Sequence, residues 1–182
     1  MTLLILGLAL WTAGHVFKRV LPGVRETMGN AGKGVAAVLI LAGVLAMIFG
    51  YKAAEFVPVW QPPAFMVHIN NLLMLGAVFL FGLGSSKSPL RAKMRHPMLT
   101  GMVVWAVAHL LVNGDLASLV LFGGLAIWAL AEMRIINASE PVYHRFEGGS
   151  LGGTVRLLVI TVVVFAVIGG IHTWLGYRPF PG

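Results

Sequence analysis

The sequence predicts an all-α polytopic membrane protein, a bundle of six transmembrane helices. Three observations predict it. Of 182 residues, 58% are hydrophobic and 10% charged, and the mean hydropathy is +0.89, so too little polar surface exists to coat a soluble domain. Apolar runs recur six times, each near the roughly 20 residues that cross about 30 Å of hydrocarbon. Basic residues gather in alternate connections, the pattern of a chain that threads back and forth across a bilayer.

The first segment, 2–20, lacks a basic stretch ahead of it and carries Lys18 and Arg19 at its far end. It is therefore expected to stay in the mature chain rather than act as a cleaved signal peptide. Pro22-Gly23 follows it, and the second segment runs over 33–53. Pro58 and Pro62-Pro63 precede the third, 64–84. A Ser85-Ser86-Lys87-Ser88-Pro89 stretch precedes the fourth, 97–114, and the fifth follows at 116–136. Glycines at 148, 149, 152 and 153 around Ser150 introduce the sixth, 154–176. No connection is long enough for another fold, so 1–182 reads as a single transmembrane domain.

Eleven of the thirteen Lys and Arg residues fall in or beside connections one–two, three–four and five–six: Lys18, Arg19, Arg25, Lys33, Lys87, Arg91, Lys93, Arg95, Arg134, Arg145 and Arg156. Lys52 and Arg178 lie on the opposite side. The positive-inside rule then places both termini outside, in the periplasm of a Gram-negative cell, with the chain in the inner membrane. The net charge of +7 is accounted for by a basic cytoplasmic collar on anionic lipid and calls for no nucleic acid.

Zero cysteines exclude disulfides, iron–sulfur clusters, covalently attached haem and a thiolate nucleophile. Carboxylates are nearly absent from the apolar segments, with Asp115 and Glu132 only at their margins, which argues against a hard-cation site or a paired-carboxylate mechanism. Histidine is left as the ligand-forming residue, and an ionisable residue inside a membrane segment is a functional candidate. His96 and His109 are separated by about 20 Å of rise and about 140° of rotation on an ideal helix, so they serve different centres. Gly101, Trp105, His109 and Asn113 form one stripe expected to face the bundle interior. Trp11 stands four residues before His15 as Trp105 does before His109. The third segment adds His68 with Asn71, and the sixth adds His172 beside Thr173, just after Gly169-Gly170. His144 reads as a solvated loop residue.

These residues admit a zinc or iron centre from His68, His109 and His172, or a haem b between helices with Arg95 or Arg25 pairing its propionates. They equally admit histidines that only join helices by hydrogen bonds.

Arg95-His96-Pro97-Met98-Leu99-Thr100-Gly101, the run from Trp105 through His109 to Asn113-Gly114-Asp115, the 121–128 stretch and the terminal Gly176-Tyr-Arg-Pro-Phe together resemble the NnrU family. His15, the Pro-Gly-x-Arg-Glu turn at 22–26 and the segment 68–75 belong to the same match. The resemblance implies a small bacterial inner-membrane protein associated with denitrification, needed for expression or activity of nitrite and nitric oxide reductases. It extends to the 15-cis-zeta-carotene isomerase, which uses haem b, and implies His109 and His15 as iron ligands. His68, His172, Asn71 and Asn113 would then be hydrogen-bond partners or alternative ligands. The Asn113-Gly114-Asp115 ending follows NnrU rather than the isomerase. On that basis the expected ligands are nitric oxide or a lipophilic polyene, and the expected partners are the bilayer and the denitrification enzymes. The Arg-His-Pro-x-x-x-Gly string also resembles a cofactor element of membrane methyltransferases that use S-adenosylmethionine, with His96 facing the cytoplasm. A non-catalytic assembly factor is the third alternative.

Overall fold

Helices form through every predicted segment in the computed structural model, which describes residues 1–180. They are α1 (Thr2–Val20), α2 (Pro22–Thr27), α3 (Gly29–Lys52), α4 (Met66–Leu83), α5 (Pro97–Val112), α6 (Leu116–Ser139) and α7 (Leu151–Trp174). The all-α polytopic class is therefore found, but among the described residues five helices rather than six are long and apolar enough to span. The expected span 97–114 ends early as α5, whose 16 residues rise only about 24 Å against a core of about 30 Å. Asn113 turns extended, and the Gly114 carbonyl accepts from the amides of Val59 and Trp60 at 2.8 and 3.0 Å.

Two further boundaries differ from expectation. The Pro22-Gly23 turn is a short helix, because Pro22 at its first position suits a helical start. The second segment then begins at Gly29, four residues early, where a φ of +52° suits glycine.

The chain gathers into two compact units, each described by itself: residues 1–61 with 114–139, and residues 62–113 with 140–180. In the first unit α1 crosses α3 along a seam that includes four glycines: Gly7 lies against Gly43, Gly14 against Ala36 and Ile40, and Gly50 against Leu3 and Leu4. A Cβ on Gly43 would stand 2.6 Å from the Trp11 amide nitrogen, and one on Gly50 would overlap the Leu4 backbone. Backbone-to-backbone approach of this kind is how helices associate where lipid offers no hydrophobic drive. α6 joins α1 through an ion pair: Arg19 Nη1 donates to Glu132 Oε1 at 2.9 Å, with Glu132 buried. Arg19 is thus committed to an internal contact and not only to the basic collar.

The loop after α3 is tied to the start of α6. Leu116 N donates to the Val57 carbonyl at 2.9 Å. Asp115 caps the helix by accepting from Ser118 N and Oγ at 2.9 and 2.5 Å, and Tyr51 Oη meets Ser118 Oγ at 2.9 Å. The buried carboxylate at this margin is therefore a helix cap, satisfying amides that the first turn leaves open. Residues 119–123 of α6 wind as a π segment.

In the second unit Gly101 of α5 sits on α4, where an added Cβ would be 3.2 Å from the Ala77 carbonyl, and Gly82 of α4 admits Leu157 of α7. Pro89–Lys93 forms a 3-10 turn, held to α7 by Ser88 Oγ on Thr154 Oγ1 at 2.8 Å and by Ser150 N donating to the Lys87 carbonyl at 3.0 Å. Arg91 lies over the Phe146 ring at 4.6 Å and Arg95 over Tyr143 at 5.4 Å. Cation–π contacts therefore order part of the basic collar.

Candidate functional site

Three helices of the second unit converge on one cavity. Asn70, Asn71, Met74 and Val78 of α4 line it with His109 of α5, and Phe165, Ile168, Gly169 and His172 of α7 complete the wall with Pro179 and Phe180 of the C-terminal tail. His109 and His172 lie near the C-terminal ends of their helices and the asparagines near the N-terminal end of α4, so the polar side chains that line the cavity lie at one end of the three-helix group. Helix chemistry sets the rings. His109 Nδ1 is 2.8 Å from the Trp105 carbonyl and His172 Nδ1 is 2.8 Å from the Ile168 carbonyl, each four residues back. A carbonyl only accepts, so each Nδ1 carries hydrogen and the lone pair of the neutral ring sits on Nε2.

The tail folds back over this end. α7 stops where Gly176 takes a φ of +91°, and Tyr177 N then donates to the His172 carbonyl at 2.9 Å. Asn71 Nδ2 donates to the Pro179 carbonyl at 2.8 Å, and Phe180 lies on Phe165 with ring centroids 5.8 Å apart. A Cβ on Gly169 would fall 2.5 and 2.6 Å from the outer ring atoms of Phe180. Gly169→Ala should therefore swing that ring away at a cost of less than about 1 kcal/mol, since the ring end is free to move. Hydrogen exchange at the Tyr177 amide is expected to quicken with little change in the melting temperature, and unchanged exchange would show that Phe180 does not hold the tail.

His15 belongs to the first unit and has the same local geometry. Its Nδ1 lies 2.9 Å from the Trp11 carbonyl, and its ring stacks on Trp11 at 4.1 Å as His109 stacks on Trp105 at 4.7 Å. The repeated Trp-x-x-x-His is thus a helical i,i+4 stack with a carbonyl-bound imidazole. Trp128 of α6 closes on His15 at 4.8 Å. The indole nitrogens of Trp11 and Trp128 are buried with no hydrogen-bond partner.

The remaining expected residues lie elsewhere. His68 is exposed in the first turn of α4. Among the described residues no group of three or more His, Cys, Asp or Glu is placed to hold a metal, so the three-histidine centre is not assembled. Asn113 donates to the His109 carbonyl at 2.8 Å and ends α5, Trp105 backs His109, and neither lines the cavity. Arg95 donates to the Glu140 carbonyl. Arg25 Nη1 donates to the Gly29 carbonyl at 2.7 Å. His96 is the residue before Pro97 at the start of α5, and its carbonyl accepts from Thr100 Oγ1 at 2.9 Å. His144 is exposed in its loop.

The NnrU protein family matches residues 3–179. The chain belongs to the NnrU family. No curated protein and no solved structure matches it. In this NnrU chain the cavity measures about 60 Å³, well below the roughly 300–1,000 Å³ of pockets that take drug-sized ligands. The space suits a few water-sized groups. Reading the sequence missed Asn70 and the tail residues Pro179 and Phe180. The Asn70-Asn71 pair in an apolar helix was the available signal, because two adjacent amides there must find partners.

Proposed function

We propose that this NnrU chain supports nitrite and nitric oxide reductases from the bacterial inner membrane, and that it does so through a small ligand held between His109 and His172. One observation carries the reading: two imidazoles from separate apolar helices line a single cavity that also holds a buried amide. Ionisable and amide groups are costly in a bilayer, and their convergence on one space is a mark of use rather than of packing alone. With the basic connections on the cytoplasmic side, the polar end of α4, α5 and α7 opens toward the periplasm.

A denitrifying strain lacking this protein tests the proposal. Wild-type chain is expected to restore nitrite and nitric oxide reductase activity, while His109→Ala and His172→Ala, at equal membrane abundance, restore less than about a tenth of it. Full restoration by both variants would overturn the reading in favour of an assembly factor whose histidines only join helices.

A further inference from the structure

We propose that the surface formed by residues 87–95 and 140–156 binds the phosphate headgroup of an anionic phospholipid, with Arg91 and Arg95 as the recognising side chains. It lies at the end of α4, α5 and α7 opposite the cavity, since α4 stops at Leu83 there while α5 and α7 begin at Pro97 and Leu151. Two stretches far apart in the chain are fastened together at this end. Tyr143 Oη donates to the Met94 carbonyl at 3.1 Å, Arg95 donates to the Glu140 carbonyl, and Ser150 N donates to the Lys87 carbonyl at 3.0 Å.

The joined surface carries Lys87, Arg91, Lys93, Arg95, Arg145 and Arg156 with only Glu140 and Glu147 against them. An excess of cations at the end of membrane-spanning helices draws anionic headgroups. Lys87, Lys93, Arg145 and Arg156 are exposed, whereas Arg91 and Arg95 are half-buried. Those two are also the ones a ring holds: Arg91 Cζ stands 4.6 Å from the centre of the Phe146 ring and Arg95 Cζ 5.4 Å from that of Tyr143. The arginines are four residues apart in one stretch and the rings three apart in the other, so the two pairs sit side by side. A guanidinium carries its N–H donors in a planar fork that can bind two phosphate oxygens at once. A ring beside the fork restricts where it can go, which lowers the entropy lost when an anion binds.

Apolar neighbours decide the source of the phosphate. Leu90, Val142 and Leu151 belong to the same two stretches and are 37%, 71% and 78% exposed. Large apolar side chains among cations suit the boundary between headgroups and acyl chains, where both are satisfied together. A dissolved phosphate ion would use the cations and leave these side chains in water.

Delipidated protein in detergent, titrated with phosphatidylglycerol and with phosphatidylcholine and read by native mass spectrometry, tests the assignment. Phosphatidylglycerol is expected to bind about ten-fold more tightly, and Arg91→Gln combined with Arg95→Gln should abolish that preference. Arg91→Lys combined with Arg95→Lys keeps the charge and loses the fork, so it should weaken the lipid about three-fold. That pair keeps the test decisive where the glutamine pair fails to fold. Lys52→Gln, at the end of α3, should change nothing. Equal affinity for the two lipids would overturn the proposal, as would phosphatidylglycerol binding that the lysine pair leaves unchanged. Displacement of the lipid by an equal concentration of inorganic phosphate would replace it with a free anion, and displacement by polyglutamate with an acidic protein; either result overturns the lipid assignment.

Discussion

Glu132→Ala is expected to destabilise the protein by about 3–5 kcal/mol, the cost of removing one partner from a buried ion pair and leaving the other charge without it. The side chains of Arg19 and Glu132 are 20% and 5% exposed, so water screens the pair little. Glu132 Oε2 is buried without a hydrogen-bond partner, which limits what the pair contributes in net terms. The double variant Arg19→Leu with Glu132→Leu should therefore regain most of the lost stability, because apolar residues of similar volume avoid desolvation altogether. Thermal unfolding of the three proteins in one detergent measures both effects. A double variant no more stable than Glu132→Ala would mean that the contacts of the Arg19 stem outweigh its charge.

Gly43→Val should cost about 3 kcal/mol, the upper end of ordinary overpacking. The atoms a Cβ would meet are backbone: Trp11 N at 2.6 Å, the Gly7 carbonyl oxygen at 2.9 Å and Trp11 Cα at 3.0 Å. No rotamer change relieves such an overlap, so α1 must move away from α3, and Trp11 with His15 moves with it. Gly34→Ala on the same helix is the control, since nothing lies within 4 Å of its added Cβ. It should be neutral or stabilise by up to about 1 kcal/mol, alanine being the better helix former. Equal melting temperatures for Gly43→Val and wild type would show that the glycine seam is not needed for helix association.

The polar residues of the apolar segments were few enough to pick out individually, and His109, His172 and Asn71 do line one cavity. His68 illustrates where that reasoning stops. It is three residues before Asn71, about 60° away around the helix, and that offset leaves it exposed. Trp105 and Asn113 share the stripe of His109, yet one stacks on the ring and the other bonds the helix end. A stripe states which residues face one way without stating how far a neighbouring helix extends along it.

The glycine seam was legible only as a spacing of seven, from Gly7 to Gly14 and from Gly43 to Gly50, the repeat that keeps one face of a helix toward a partner. Read singly, each glycine carries no such message. Arg19 and Glu132 were both assigned to segment margins, because hydropathy cannot tell a charge at the interface from one paired inside.

The membrane class, the helix positions to within a few residues and the set of candidate ligands follow from the sequence by itself. Hydropathy, helix breakers and caps act over a few neighbouring residues, so the chain displays them directly. Tertiary structure alone decided that His109 shares a cavity with His172 rather than with His68, that α5 stops short, that Arg19 finds Glu132 and that the tail closes over the cavity. Each of these depends on the rotation and depth of one helix against another, and that geometry is set by contacts between residues far apart in the chain.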